Sequence, residues 1–245
     1  MQILVVGASG ATGRLLVQDL LTQGHSVRVV VRDASRLPAA IRGHHRLSVT
    51  EASLLALSDA QLAELTEGCA AIASCLGHNL SLRGLFGRPR RLVTDAIRRL
   101  CAAAAAHRPA LPVRLVLMNT AANRNPDAGE ASGFGERLLT GLMRLLLPPH
   151  ADNEQAAQYL RSTIGDRHEH LAWVAVRPDS LFDEPAVSRY SVHPSPTRSA
   201  LFDPGRTSRR NVAHFMAQLI ADDALWQTWQ GQMPVIYNTA ADTGK

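Results

Sequence analysis

Lysine is nearly absent from this chain. Among 26 lysine and arginine residues only Lys245, the last residue, is a lysine. None of the three tyrosines, Tyr159, Tyr190 and Tyr237, has a lysine four residues later, so a tyrosine–lysine catalytic pair is excluded. Aromatic residues make up 4% against 46% hydrophobic residues, which predicts an aliphatic, alanine-filled core. The three cysteines, Cys69, Cys75 and Cys101, lack paired or metal-like spacing and read as reduced thiols of a cytoplasmic protein. No run reaches the roughly 18 apolar residues of a membrane span; the most apolar stretch, Leu138 to Leu147, carries Arg144. Met1 leads directly into a strand pattern, with no basic region or cleavage site of a secretory signal. The formal net charge is +5, with arginine pairs at Arg90-Arg91, Arg98-Arg99 and Arg209-Arg210. These pairs are scattered and not interleaved with aromatics, which reads as a solvated basic surface, not a nucleic-acid site.

What is present begins with glycine. Gln2 to Val6 is an apolar run of strand length, followed by Gly7-Ala8-Ser9-Gly10-Ala11-Thr12-Gly13 and a helical pattern from Arg14 to Leu21. Strand, glycine turn and helix in that order form a dinucleotide phosphate site. Gly7 serves the tight turn, Gly10 the close approach of a diphosphate and Gly13 the packing of helix on strand. The helix offers unpaired N–H groups and its positive end. A second buried strand, Ser26 to Val31, ends in Arg32-Asp33-Ala34-Ser35-Arg36. An acidic residue at such a strand end binds the 2′-hydroxyl of NAD, whereas arginine accommodates the 2′-phosphate of NADP. Arg32 and Arg36 favour NADP(H); Asp33 leaves NAD(H) as the alternative.

Strand and helix alternate through the rest of the chain. Strands are expected at Arg46 to Val49, Ala70 to Cys75, Val113 to Met118, Leu171 to Val176 and Met233 to Tyr237. Helices are expected over Ser58 to Glu67 with a Ser58–Gln61 capping box, over Arg90 to Ala104 as the clearest amphipathic stretch, over Leu138 to Leu147, over Asp152 to Ile164, and over Asn211 to Ala221. The pattern predicts α/β architecture: a doubly wound parallel sheet of the Rossmann kind in a single domain spanning residues 1–245. Ligands of such sheets lie beyond the carboxyl ends of the strands. Residues 178–210, rich in proline, are expected to cover a substrate.

The glycine loop, the segment Val31 to Pro38 and the turn after the fifth strand resemble the atypical short-chain dehydrogenase/reductase superfamily. The nearest resemblance is to the NAD(P)H-binding group that includes flavin/biliverdin-IXβ reductase and NmrA-like proteins. The resemblance implies NADP(H) contacts from Gly7, Ser9, Gly10, Ala11, Thr12, Gly13, Arg32 and Arg36. It implies Cys75, Leu76 and Gly77 along the cofactor, and Thr120 and Ala121 near the nicotinamide. Relatives with Gly-Asp after the third strand use that Asp near the adenine; here the pair is Thr50-Glu51. Typical members use Ser, Tyr and Lys for catalysis, and this chain cannot.

The catalytic candidates are therefore Thr120, as a hydroxyl near a substrate carbonyl, and Tyr159 on a helix; each has a purely structural alternative, a local turn bond and a core or rim ring. Asp152 reads as a helix cap, and His150 beside it, after two prolines, as a loop histidine; His78, after Gly77, reads either as a contact to a cofactor phosphate or as a solvent-facing loop histidine, and Ser180 as backbone near the nicotinamide. His168-Glu169-His170 lacks a third ligand, so no metal site is expected. The function implied is an NADPH-dependent oxidoreductase acting on a small flavin, quinone or carbonyl acceptor, with solvent able to supply the proton. The alternative is a non-catalytic NADP(H) sensor acting through a protein partner.

Overall fold

A computed structural model describes residues 1–77, 89–130, 148–200 and 202–239. The predicted helix Leu138 to Leu147 and the candidate His78 lie outside the described residues. In chain order the elements are β1 (Gln2–Val6), α1 (Ala11–Thr22), β2 (Ser26–Val31), α2 (Ala39–Arg42), β3 (Leu47–Glu51), α3 (Asp59–Thr66), β4 (Ala71–Ser74), α4 (Leu92–Ala106), β5 (Val113–Met118), α5 (Pro148–Tyr159), β6 (Leu171–Pro178), β7 (Ser180–Phe182), β8 (Tyr190–His193), β9 (Arg206–Ser208), α6 (Arg209–Ala221), α7 (Asp223–Trp229) and β10 (Val235–Asn238).

The main sheet has the order β3-β2-β1-β4-β5-β6-β10-β8. Its strands are parallel except β8, which pairs antiparallel with β10. The order reverses between β1 and β4, the switch point at which ligands of such sheets bind. The central strands are buried on both faces, as their runs of Val, Ile, Leu and Ala require. On one face α1 and α6 pack on Val5, Val29 and Val174; on the other α4 and α5 pack on Leu4, Ile72 and Trp173.

The proline-rich stretch 178–210 is in part regular: it contains β7, β8 and β9, and β9 pairs with β7 in a two-stranded sheet beside the main one. These strands have three or four residues, too short for an alternating pattern to show. The helix expected from Asp152 begins earlier, at Pro148, so His150 lies on α5 and not in a loop; proline is tolerated in a first turn, where its missing N–H would be unpaired anyway. That helix ends in a π-turn over Leu160–Ile164. No described helix is long and apolar enough to cross a membrane.

Candidate nucleotide cleft and the strand ends around it

The glycine loop is set by collisions that only glycine avoids. Gly7 has φ of 78°, and a Cβ there would stand 2.5 Å from the carbonyl carbon of Cys75. At Gly13 a Cβ would stand 2.2 Å from the Gly7 oxygen, so the first turn of α1 lies directly against the turn out of β1. Gly10 differs: its Cβ would meet only the Gly7 oxygen, at 3.1 Å. Gly10 N–H closes the turn on the Gly7 carbonyl at 3.0 Å, and no side chain caps α1. The amino end of that helix therefore keeps its dipole and its N–H groups for an anion.

A cleft of 170 Å³ opens beside this loop. Gly7, Ser9, Gly10, Arg32, Arg36, Cys75, Leu76 and Gly77 line it together. Ala11, Thr12 and Gly13 form the first turn of α1 behind the lining, with Thr12 and Gly13 buried. The cleft also uses Ala52, Ser53 and Leu54 after β3, and Pro89 and Leu92 before and at the start of α4, which local patterns did not single out. The only signal for them was position, since each follows the carboxyl end of a strand or opens a helix there.

The end of β2 separates the two arginines from the aspartate. Asp33 accepts hydrogen bonds from Ser35 N at 2.9 Å and Ser35 Oγ at 2.5 Å, capping a 3₁₀ turn over Ala34–Arg36. Those bonds from the Ser35 hydroxyl and amide hold the Asp33 carboxyl below the usual carboxylate range. Arg32 and Arg36 form no hydrogen bond through their side chains and no ion pair among the described residues. Glu51, in place of the Gly-Asp pattern, braces the same loop by accepting from Ala34 N at 3.0 Å. Cys75 is buried, and that burial pushes its thiol up to about 12, so it lines the cleft as an inert group.

Thr120 and Ala121 follow β5 but are not part of the cleft lining. Thr120 N–H donates to Asn119 Oδ1 at 2.8 Å, and Thr120 Oγ1 accepts from Ala122 N at 3.3 Å, the local turn bond. Ala121 is buried against Val235, Tyr237 and Ala200. Tyr159 is not brought to this end of the sheet. It is the last residue of α5, about 9 Å along the helix axis from Asn153 at 1.5 Å rise per residue. The Arg98 guanidinium lies over its ring at 5.3 Å, and burial pushes its phenol up. The helix that carries it is bonded to the end of β5 through Asn153, nearer its start, and Tyr159 packs against α4 instead.

Asp152 is a cap, but of another helix. Its carboxylate accepts from Val93 N at 2.8 Å and Thr94 N at 2.9 Å, at the start of α4, and Thr94 Oγ1 donates to the Asp152 carbonyl at 2.9 Å. One residue on, the Asn153 carbonyl accepts from Asn119 Nδ2 at 2.9 Å. Ser180 is exposed, and its amide serves the buried Asp179 carboxylate. His168 and His170 face each other edge-on at 6.3 Å, with no third ligating side chain among the described residues.

Arg177 is a buried anchor of the strand ends that sequence reasoning passed over. It is completely buried at the end of β6. Its guanidinium donates to the carbonyls of Met233, Asn123 and Pro194 and takes both oxygens of Glu130, at 2.7 and 3.0 Å. An arginine in a strand pattern gives no local sign of a partner 47 residues earlier.

A doubly wound sheet, a glycine turn at its switch point and an uncapped helix aimed at a cleft define a dinucleotide-binding Rossmann protein. The crowding at Gly7 and Gly13, with room at Gly10 and two cleft arginines that make no side-chain hydrogen bond among the described residues, fits a dinucleotide phosphate. The chain belongs to the NAD(P)H-binding family, whose sequence model matches residues 7–223. The wide-type short-chain dehydrogenase/reductase from Veillonella parvula, solved in complex with NADP, is similar in fold, with a TM-score of 0.69 at 16% identity over 98% of this chain and 95% of that one. The oxidoreductase ylbE from Lactococcus lactis is similar to the same degree, at 0.69 and 16% over 98% and 92%. These likenesses show the fold alone. A 3-diazoavenalumate denitrifying reductase from a Streptomyces species is 52% identical over 42 residues, which span 17% of this chain and 14% of that relative's length.

Proposed function

We propose that this protein is an NADPH-dependent oxidoreductase that passes a hydride from the nicotinamide to a small flavin, quinone or carbonyl acceptor, without a tyrosine–lysine pair. The observation that carries the coenzyme choice is the end of β2. Asp33, the residue that could read the 2′-hydroxyl of NAD, spends its carboxylate on Ser35, while Arg32 and Arg36 line the cleft with no side-chain hydrogen bond or ion pair to a described residue. Two guanidiniums suit a 2′-phosphate through forked, charge-assisted bonds. The protein's part in the hydride step is positioning and exclusion of water, with residues 178–210 covering the acceptor.

Calorimetry with both coenzymes tests this reading. Arg32→Ala is expected to weaken NADP(H) about 30-fold, on the order of 2 kcal/mol for a charge-assisted bond, and to leave NAD(H) nearly unchanged. Equal loss for both coenzymes removes the case for NADP. Absorbance of the reduced nicotinamide, followed with flavins, quinones, aldehydes and an aryl diazonium salt, identifies the acceptor. The diazonium is included because of the Streptomyces relative's name. Tight binding without turnover on any acceptor would favour a sensor.

A further inference from the structure

Polar side chains are buried where the carboxyl ends of β4 and β5 meet the first turns of α4 and α5. Ser74, Thr94, Asn119, His150 and Asp152 are each more than nine-tenths buried. Thr94, Asn119 and Asp152 are committed to the helix and strand contacts described above. Two atoms are not: Ser74 Oγ and His150 Nε2 have no hydrogen-bond partner. A buried polar atom left unpaired costs about 1–3 kcal/mol, so such a group calls for a role beyond stability.

The place of His150 follows from the bonds around it. Asp152, two residues on, holds the amides of Val93 and Thr94, and Leu92 just before them lines the nucleotide cleft. The Asn153 carbonyl is bonded to Asn119, which also orients Thr120. The first turn of α5 is thus pinned between the rim of the cleft and the end of β5. With the sheet order reversing between β1 and β4, a dinucleotide whose adenosine phosphate lay at Arg32 and diphosphate at Gly10 would run on toward the ends of β4 and β5. The imidazole has one ionic neighbour among the described residues, Glu154, whose Oε1 stands 3.4 Å from Nε2 without hydrogen-bond geometry. Glu154 in turn lines a separate cavity of 450 Å³ with Asn123 and Arg161.

We propose that His150 gives the proton that a carbonyl acceptor needs on reduction, with Glu154 as the route by which solvent replaces it. This rests on the coenzyme reading above. The bound coenzyme supplies the hydride, two electrons and one hydrogen, to the carbonyl carbon. The π pair of the C=O bond moves to oxygen. The Nε2–H bond of the His150 imidazolium breaks, its electron pair stays on the ring, and the oxygen takes the proton to give an alcohol. A proton entering from the cavity past Glu154 restores the imidazolium. His150 thereby fills the task for which this chain has no tyrosine–lysine pair.

Two measurements test it. In isotope-labelled protein saturated with NADP⁺, with saturation established by calorimetry, the ring resonances of His150 shift; they are assigned by their loss in His150→Gln. Unmoved resonances in the saturated protein overturn the proposal and leave the coenzyme reading intact, whereas absence of binding heat overturns both. In turnover with NADPH, His150→Gln lowers reduction of para-nitrobenzaldehyde about 100-fold. Reduction of FMN, which accepts hydride as an anion without a proton in that step, and NADPH affinity change by less than about threefold. Equal loss on both acceptors, aldehyde reduction close to that of the unsubstituted protein, or no aldehyde reduction by either protein overturns it.

Discussion

The glycines of the first loop separate folding from binding by a few tenths of an ångström to an ångström. At Gly13 an added methyl would meet the Gly7 oxygen at 2.2 Å, and both belong to backbone that cannot yield without moving α1. Gly13→Ala is expected to cost about 3 kcal/mol, the upper part of the range for overpacking. At Gly10 the same methyl meets that oxygen at 3.1 Å and nothing else, so the fold should lose less than about 1 kcal/mol. If a diphosphate lies there, Gly10→Ala nonetheless weakens NADP(H). Urea unfolding and calorimetry on the two variants check both halves; a Gly10→Ala protein of native affinity contradicts the placement. Asp179 carries a pH dependence of known sign. Burial raises its pKa above the ordinary 3.8, against the lowering from its hydrogen bonds with Gly205 and Ser180. The folded state therefore holds the proton more tightly than the unfolded state. That contribution is complete below 3.8 and is lost as pH rises through the folded pKa. Asp179→Asn cannot titrate and keeps an oxygen for the Gly205 amide. The stability of the variant relative to the unsubstituted protein should rise from acid toward neutral pH in urea titrations, and a flat difference would contradict the burial argument.

At the scale of elements, what was legible depended on whether the deciding partner was near in the chain. The capping box of α3 was readable because Ser58 and Gln61 are three apart, and both bonds are present. The strands β1, β2, β4, β5 and β6 were readable because double-sided burial demands unbroken apolar runs. The fold of the glycine loop was readable for a similar reason, since the turn at Gly7 and the close helix packing at Gly13 fall within seven residues. The start of α4 was not. Its own N-cap position is Arg91, which makes no side-chain cap, and the carboxylate that serves its amides comes from Asp152, 59 residues after Val93. Nor were β8 and β9, whose order comes from Val235 to Asn238 and Ser180 to Phe182. The Asp152 bond predicts that Asp152→Ala, which leaves two buried amides unpaired, costs about 2 kcal/mol. Hydrogen exchange at Val93 and Thr94 should quicken with it while the capped start of α3 stays protected. Because Leu92 lines the cleft, NADP(H) affinity should fall in the same variant; unchanged exchange at those two amides would show that the cap is not needed.

For the whole molecule, Arg177 joins segments that the chain leaves far apart. One guanidinium holds the loop after β5 through Asn123, the end of β8 through Pro194, the approach to β10 through Met233, and Glu130. Glu130 Oε2 also accepts from Asn125 N at 2.8 Å, which closes the turn over Pro126–Ala128. The carboxyl end of β6, the loop after β5 and the approach to β10 thus share one buried ion pair, with Arg177 fully buried and Glu130 nearly so. Desolvation offsets much of the attraction within such a pair, but removing one partner strands the other charge without water. Arg177→Met should therefore destabilise by about 3–5 kcal/mol, and Glu130→Gln by an amount nearer the low end because an amide still accepts one of the two bonds. In the double variant Arg177→Met, Glu130→Gln no charge is stranded, so its loss should fall well short of the sum of the single losses. Urea unfolding of the three variants measures this directly. Additive losses would mean that the pair does not act as a unit, and the loops around the strand ends would then have to be held by their backbone bonds alone.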